Sequence, residues 1–170
     1  MLEFHYPEKV KLFFGVLYSD DSVYKKFLAS LYTSVDIISA EYDFSHTDYY
    51  SSEMGDRLKR RFIAVSQPVD PHCAIIKAKH WAVHQENLFS ADKKRLINID
   101  PGYLNSARLV LTSTKDFSHR VYIGNGVFAE ITLIYKNKRF NSLEWTFPDY
   151  RKDTYWPYFY EIRKKYTKQL

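Results

Sequence analysis

The chain of 170 residues contains a single cysteine, Cys73. That excludes a disulfide scaffold and any zinc or iron–sulfur cage built on thiolates. It fits a reducing compartment, so a cytoplasmic protein is expected. Glycine and proline are scarce, at 5 and 6 residues, too few for a collagen-like or linker-rich chain. No apolar run approaches the roughly 18 residues that span a bilayer. Met1–Val10 lacks the basic-then-apolar order of a signal peptide. We therefore expect no membrane partner. GxxxxGK[ST], GxGxxG and GxSxG are all missing, which disfavours P-loop, Rossmann and nucleophile-elbow sites. Cys73, His80 and His84 share one helical face, but residue 81 is Trp, so the metalloprotease Glu is lacking. That pair reads as surface histidines. No metal-ligand set is assigned and no cofactor is named.

Aromatic residues, by contrast, are plentiful: 15 Tyr, 12 Phe and 3 Trp make 18% of the chain, which excludes a disordered protein. The length suits one domain burying roughly 70% of its unfolded surface. The net charge is +5. Basic residues gather at Arg57, Lys59, Arg60 and Arg61, at Lys136, Lys138 and Arg139, and over Arg151–Lys168. Such clusters can meet phosphates or simply be solvated.

Along the chain, Val10–Tyr18 reads as a buried strand. A helix near residues 21–33 follows, capped from Asp20–Ser22, with Val23, Phe27, Leu28 and Leu31 at helical spacing. Val35–Phe44 is a second strand, and His46–Asp56 a loop or short helix. Leu58–Ser66 alternates, with Arg61, Ile63 and Val65 on one face and Arg60, Phe62 and Ala64 on the other. Asp70-Pro71 starts a helix reaching about Phe89. Arg95–Ile99 is a fourth strand, stopped by Asp100-Pro101-Gly102. The order β-α-β-β-α-β over residues 10–100 predicts an α+β, ferredoxin-like sandwich.

Residues 101–170 extend it within the same single domain, 1–170. Ser106–Thr112 is ambiguous between helix and strand. His119–Ile123 and Val127–Tyr135 flank Gly124-Asn125-Gly126, a hairpin signal. Arg139–Leu143 completes an antiparallel meander that extends the first sheet or packs beside it. Tyr155, Phe159, Ile162 and Tyr166 mark one stripe of a terminal helix.

Four segments concentrate chemistry. In Thr47–Gly55, Asp48 and Glu53 can ligate or accept protons, and Tyr49 and Tyr50 can stack or donate. Asp100 stands at a strand end, or closes a turn on its own backbone. Lys115, His119 and Arg120 can hold phosphate, with His119 moving protons near neutral pH. Glu130 lies across the hairpin: a three-residue loop puts it opposite Arg120, while a two-residue Asn-Gly turn moves it toward Val121 and the His119 face. The loop carrying Asp149, Tyr150 and Arg151 closes over a pocket or packs as an aromatic corner. The candidate catalytic residues are thus Glu53, Asp100, His119 and Glu130. The candidate ligand-binding residues are Asp48, Tyr49, Tyr50, Arg60, Arg61, Lys115, Arg120, Asp149, Tyr150 and Arg151.

The segments Lys11–Asp20 (KLFFGVLYSD), Thr47–Gly55 (TDYYSSEMG), Leu58–Phe62 (LKRRF), Ile97–Leu104 (INIDPGYL), Thr114–Arg120 (TKDFSHR), Phe128–Tyr135 (FAEITLIY) and Trp145–Arg151 (WTFPDYR) resemble, in the same order, the bacterial family called domain of unknown function 4416. The resemblance covers nearly the whole chain. It implies a complete single-domain member and implies no mechanism.

From the residues, the leading expectation is an enzyme or binding protein for a phosphorylated, nucleotide-like or RNA ligand. Basic groups would hold phosphate, and acidic groups would bind a divalent cation or transfer a proton. Two other readings stand beside it. One is a non-catalytic RNA-binding or ribosome-associated module that stacks bases on an open sheet. The other is a structural or partner-binding protein with an aromatic interface, its partners unknown.

Overall fold

A computed structural model describes residues 3–45, 50–55, 57–92 and 94–170. The first strand, β1 (Lys11–Tyr18), is buried along its whole length, its residues after Lys11 being free of charge. Helix α1 (Asp21–Ser30) begins where Asp20 Oδ1 accepts the Ser22 N–H at 2.7 Å. It ends three residues short of the expected boundary, with Leu31 already extended.

The second expected strand is broken into β2 (Val35–Ile38) and β3 (Tyr42–Phe44), both paired with β4 (Leu58–Val65). Ser39 fills the break: its hydroxyl accepts the Phe62 N–H at 2.9 Å, replacing part of the ladder. Between β3 and β4 lies the one-turn helix α2 (Ser51–Met54). Helix α3 (Pro71–Leu88) follows the sequence expectation, with Asp70 Oδ1 capping His72 N at 2.9 Å. A two-strand ribbon, β5 (Ser90–Ala91) and β6 (Lys94–Arg95), leads to β7 (Ile97–Leu104).

Here the structure corrects the sequence reading, because Asp100-Pro101-Gly102 does not stop the strand. All of Ile97–Leu104 pairs with β1. Ile99 N and Pro101 O both bond to groups on the side away from β1, so the missing Pro101 N–H would also point there and no β1–β7 bond is lost. The ambiguous segment is a strand, β8 (Arg108–Ser113). Next come β9 (Val121–Gly124), β10 (Val127–Lys136) and β11 (Arg139–Ser142). His119 and Arg120 precede β9 rather than starting it. Asn125 and Gly126 form a two-residue turn, both at positive φ, and a bulge at Val127/Phe128 then shifts the register. Ala129 faces Val121, which leaves Glu130 beside Arg120.

The meander extends the first sheet. The strand order is β11-β10-β8-β7-β1-β4-β2, with β3 also on β4 and β9 also on β10, and each of these pairings is antiparallel. One face packs Phe14, Val16, Ile63 and Ile99 against Phe27 of α1 and Ile75, Ala78 and Ala82 of α3. The other face packs Phe13, Phe62, Leu111 and Leu133 beneath the C-terminal segment, α4 (Pro148–Arg151) and α5 (Trp156–Gln169). Phe62 sits at its centre, in ring contact with Phe13, Tyr150, Tyr155, Tyr158 and Phe159. Buried Lys11 ties this layer down through Asp36, the Ser66 carbonyl and Gln169 near the end of α5. No helix among the described residues is long and apolar enough to cross a membrane.

Candidate functional site

Strand β7 spans eight residues, but it pairs with β8 only from Gly102 to Leu104. Before Gly102 the two strands part. Backbone groups orphaned by that parting are satisfied by side chains: Glu86 of α3 accepts the Ile99 N–H at 2.6 Å, and Thr112 Oγ1 donates to the Pro101 carbonyl at 2.7 Å. A cavity of about 570 Å³ occupies the opening. Helix α3 contributes Lys79, Val83 and Glu86 from one layer; the corner before α5 contributes Phe147, Pro148, Asp149 and Tyr150 from the other. Five cationic residues (Arg60, Lys79, Arg95, Lys115, Arg120) and four acidic ones (Glu86, Asp100, Glu130, Asp149) line it.

A chain of polar contacts crosses the cavity. Arg95 Nε donates to Glu53 at 2.8 Å and its Nη1 to Asn98 Oδ1 at 3.1 Å. Asn98 Nδ2 donates to Asp100 Oδ2 at 2.8 Å. That oxygen also receives Arg60 Nη1 at 3.4 Å, while Arg60 Nη2 reaches Asp149 at 3.4 Å. Gly15 of β1 leaves room for this group, since a Cβ there would lie 3.1 Å from both Arg60 Nη1 and Tyr150 Oη. Burial alone would lower the Arg60 pKa, yet Tyr150, Asp149 and Asp100 raise it, so the guanidinium stays charged. Burial pushes the Tyr150 phenol far up despite Arg60 beside it, so it stays neutral.

A second network sits at the hairpin. Glu130 Oε2 accepts from Arg120 Nε at 2.8 Å and lies 3.0 Å from His119 Nε2. Arg120 Nη1 then bonds Ser113 Oγ and the Lys115 carbonyl, each at 3.0 Å, shaping the 113–115 turn. The His119 ring stacks on Trp145 with centroids 5.6 Å apart, and Trp145 Nε1 is held by the Ile131 carbonyl at 2.8 Å. In both Arg95 and Arg120, Nη2 makes no hydrogen bond to a described residue.

Of the candidates named from sequence, Tyr50, Arg60, Asp100, Lys115, Arg120, Glu130, Asp149 and Tyr150 line this one cavity. Glu53 and His119 stand behind it, each bonded to a lining residue. Arg61 does not join them. It points to the opposite face, pairing with Glu41 at 3.3 Å and lying over Tyr24. The alternation of β4 already carried that answer, because neighbours in a strand face opposite ways. Arg151 is also elsewhere, with Nε on the Thr146 carbonyl at 2.8 Å and Nη2 on the Glu144 carbonyl. It closes the corner before α5. Asp48 and Tyr49 lie outside the described residues. Among the described residues, no group of three or more His, Cys, Asp or Glu converges on a metal position.

The sequence reading missed Lys79, Glu86, Arg95, Asn98 and Thr112. A signal existed for two of them. Ile75, Ala78 and Ala82 form the buried stripe of α3, and Lys79 and Glu86 sit on the same stripe. Charged residues on an apolar stripe are rarely buried without a partner.

Burial pushes the Glu86 carboxyl above its ordinary value. The Ile99 N–H, Lys79 and Arg95 pull it down, and Asp100 pushes it further up. A carboxyl raised on folding favours the protonated native form. Its contribution is fully present below the unfolded value, about 4.3, and is lost as pH rises through the higher folded value. Glu86→Gln is neutral throughout. Its stability relative to the wild type is therefore expected to rise as the pH climbs from about 4.3 through the higher folded value, measured by urea unfolding at each pH. A difference that is flat, or that moves the other way, would refute the burial argument.

No curated protein and no solved structure matches the chain. A family model does match it, over residues 8–166, which include every lining residue of the cavity. The chain belongs to the family described as Domain of unknown function (DUF4416).

Proposed function

We propose that the cavity between β7 and β8 binds a small phosphorylated ligand, and that the protein is an enzyme or binding protein for that ligand. The observation that carries this reading is the convergence of Arg60, Arg95, Lys115 and Arg120 with Asp100, Glu86 and Glu130 around one enclosure. Its volume lies in the usual range for small-molecule sites. The unbonded Nη2 groups of Arg95 and Arg120 supply charged donors of the kind that take phosphate oxygens. Glu86 and Asp100, one raised by burial and one partly open to solvent, form a pair suited to proton transfer.

We propose further that residues 10–100 form a ferredoxin-like unit. This reading is supported by the order β-α-β-β-α-β and by α1 and α3 sharing one face. The exposed Cys73 fits a cytoplasmic protein. The RNA-stacking alternative loses its main support, because helices cover both faces of the sheet core.

Lys115 is exposed and lines the cavity, so Lys115→Ala should leave the fold unchanged within about 0.5 kcal/mol. Inorganic phosphate and ribose 5-phosphate are expected to raise the wild-type melting temperature. The variant should need roughly tenfold more of either for the same shift. Identical shifts in both proteins would remove Lys115 from the site, and no shift in either would reject the phosphate reading.

A further inference from the structure

Three residues that line the cavity carry a buried polar atom with no hydrogen-bond partner among the described residues: Arg60 at Nε, a donor that suits a phosphate or hydroxyl oxygen, and Glu130 and Tyr150. Glu130 is 3% exposed, and only Oε2 is used, by Arg120 and His119; Oε1 is buried and unbonded. Tyr150 is 2% exposed, and its Oη is likewise unbonded. Both residues line the same cavity. Buried polar groups in folded proteins are nearly always satisfied, so each needs a reason.

Glu130 Oε1 and Tyr150 Oη ask for different chemistry. A carboxylate oxygen only accepts, so Glu130 Oε1 calls for a donor. His119 Nε2 and Arg120 Nε both go to the other oxygen, and the open Arg120 Nη2 makes no hydrogen bond to Oε1. A phenol both donates and accepts, and Tyr150 is held as the neutral phenol by burial. A phosphate dianion accepts but does not donate, so it would leave Glu130 Oε1 unsatisfied. A hydroxyl group donates and accepts, and so serves both positions. Arg120 bonds Glu130 and also the Lys115 carbonyl, and both cationic residues line the cavity, where they suit the phosphate of the same molecule.

We propose that the ligand is a hydroxylated phosphate ester, of the sugar-phosphate class, whose hydroxyls are read by Glu130 Oε1 and Tyr150 Oη. This rests on the phosphate reading above and narrows it. Glu130 is then a ligand-binding residue, oriented by Arg120 and His119 through its second oxygen. Gly15 leaves room for the Tyr150 hydroxyl, since a Cβ there would lie 3.1 Å from it.

The test compares ribose 5-phosphate with cyclopentylmethyl phosphate, a ring ester of similar size that has no hydroxyls, by isothermal titration. Inorganic phosphate forms a third arm. The wild type is expected to bind ribose 5-phosphate about tenfold or more tightly than the hydroxyl-free ester, since unpaired site groups penalise the ligand lacking a partner. Tyr150→Phe removes one oxygen and keeps the ring, so it should reduce that ratio at least about threefold without weakening the hydroxyl-free ester. Glu130→Gln should do the same, and Tyr150→Phe stands alone if that variant fails to fold. Equal binding of the two esters by the wild type would overturn the hydroxyl assignment while leaving the phosphate reading standing. An unchanged ratio in Tyr150→Phe would also overturn it. Absence of binding by all three probes would reject the phosphate reading, and this inference with it.

Discussion

Gly102→Ala is expected to destabilise the protein by about 3 kcal/mol, at the upper end of the usual range for overpacking. Gly102 faces Leu111 at the last pair before β7 and β8 part. A Cβ there would lie 2.5 Å from the Val110 carbonyl oxygen, 2.8 Å from Phe13 Cζ and 2.9 Å from Leu111 Cδ2. The nearest obstacle is backbone, so no side-chain rotation relieves it. The strands must separate, and that breaks the short ladder that fixes the cavity's inner end. Phe13 is fully buried and has no space to retreat into. In thermal unfolding the loss should appear as a fall of roughly 6–12 °C for a chain of this size. A variant as stable as the wild type would mean that β7 and β8 do not approach so closely, and the opening would need redrawing.

The second large effect concerns Arg60. Replacing it with Met keeps much of the buried stem but leaves Asp149, 5% exposed, without its cationic partner. Removing one member of a buried pair typically costs about 3–5 kcal/mol, because the remaining charge is desolvated and uncompensated. Arg60→Met is expected to fall in that range by urea unfolding. The diagnostic is the double variant Arg60→Met/Asp149→Asn, which removes the stranded charge and should recover about half of the loss. Asp100 is the lesser partner, being more open to solvent. If the double variant is no more stable than Arg60→Met alone, the loss comes from packing against Phe44 and Phe62 and not from charge.

Both predictions concern the opening between β7 and β8, and both touch the proposed ligand site. A wedge between parting strands has orphaned backbone groups that a protein must satisfy by other means. Here Glu86 and Thr112 do so, which brings a buried carboxylate and a hydroxyl to the cavity as a consequence of the backbone geometry. The aromatic excess is divided accordingly. Phe13, Phe14, Phe27, Phe62 and Phe159 are fully buried in the two core layers, whereas Phe117, Trp145 and Phe147 stay at least 40% exposed around the hairpin and the cavity corner. Tyr150, expected among the loop aromatics, instead joins the core cluster while still lining the cavity.

Local pattern determined much of this protein. Alternation and apolar runs located β1 and β4, the Asp70-Pro71 cap placed α3, and Asn125-Gly126 placed the hairpin. Eight of the candidate residues named from sequence line the one cavity. Those features depend on neighbours a few residues apart, whose geometry the chain sets by itself. Three things were decided only by tertiary contacts. Pro101 was read as a stop, yet it is accommodated in β7 because its missing N–H faces the open side, a fact that requires knowing which strand lies on which side. The placing of β8 between β7 and β10 brings Asp100 and Glu130, thirty residues apart in sequence, to one cavity. Lys79 and Glu86 became site residues only once α3 was laid along β7, since a helix face has no function until something packs against it. The aromatic-rich, cysteine-poor composition called for a packed core, and the parting of two strands within the sheet made the cavity.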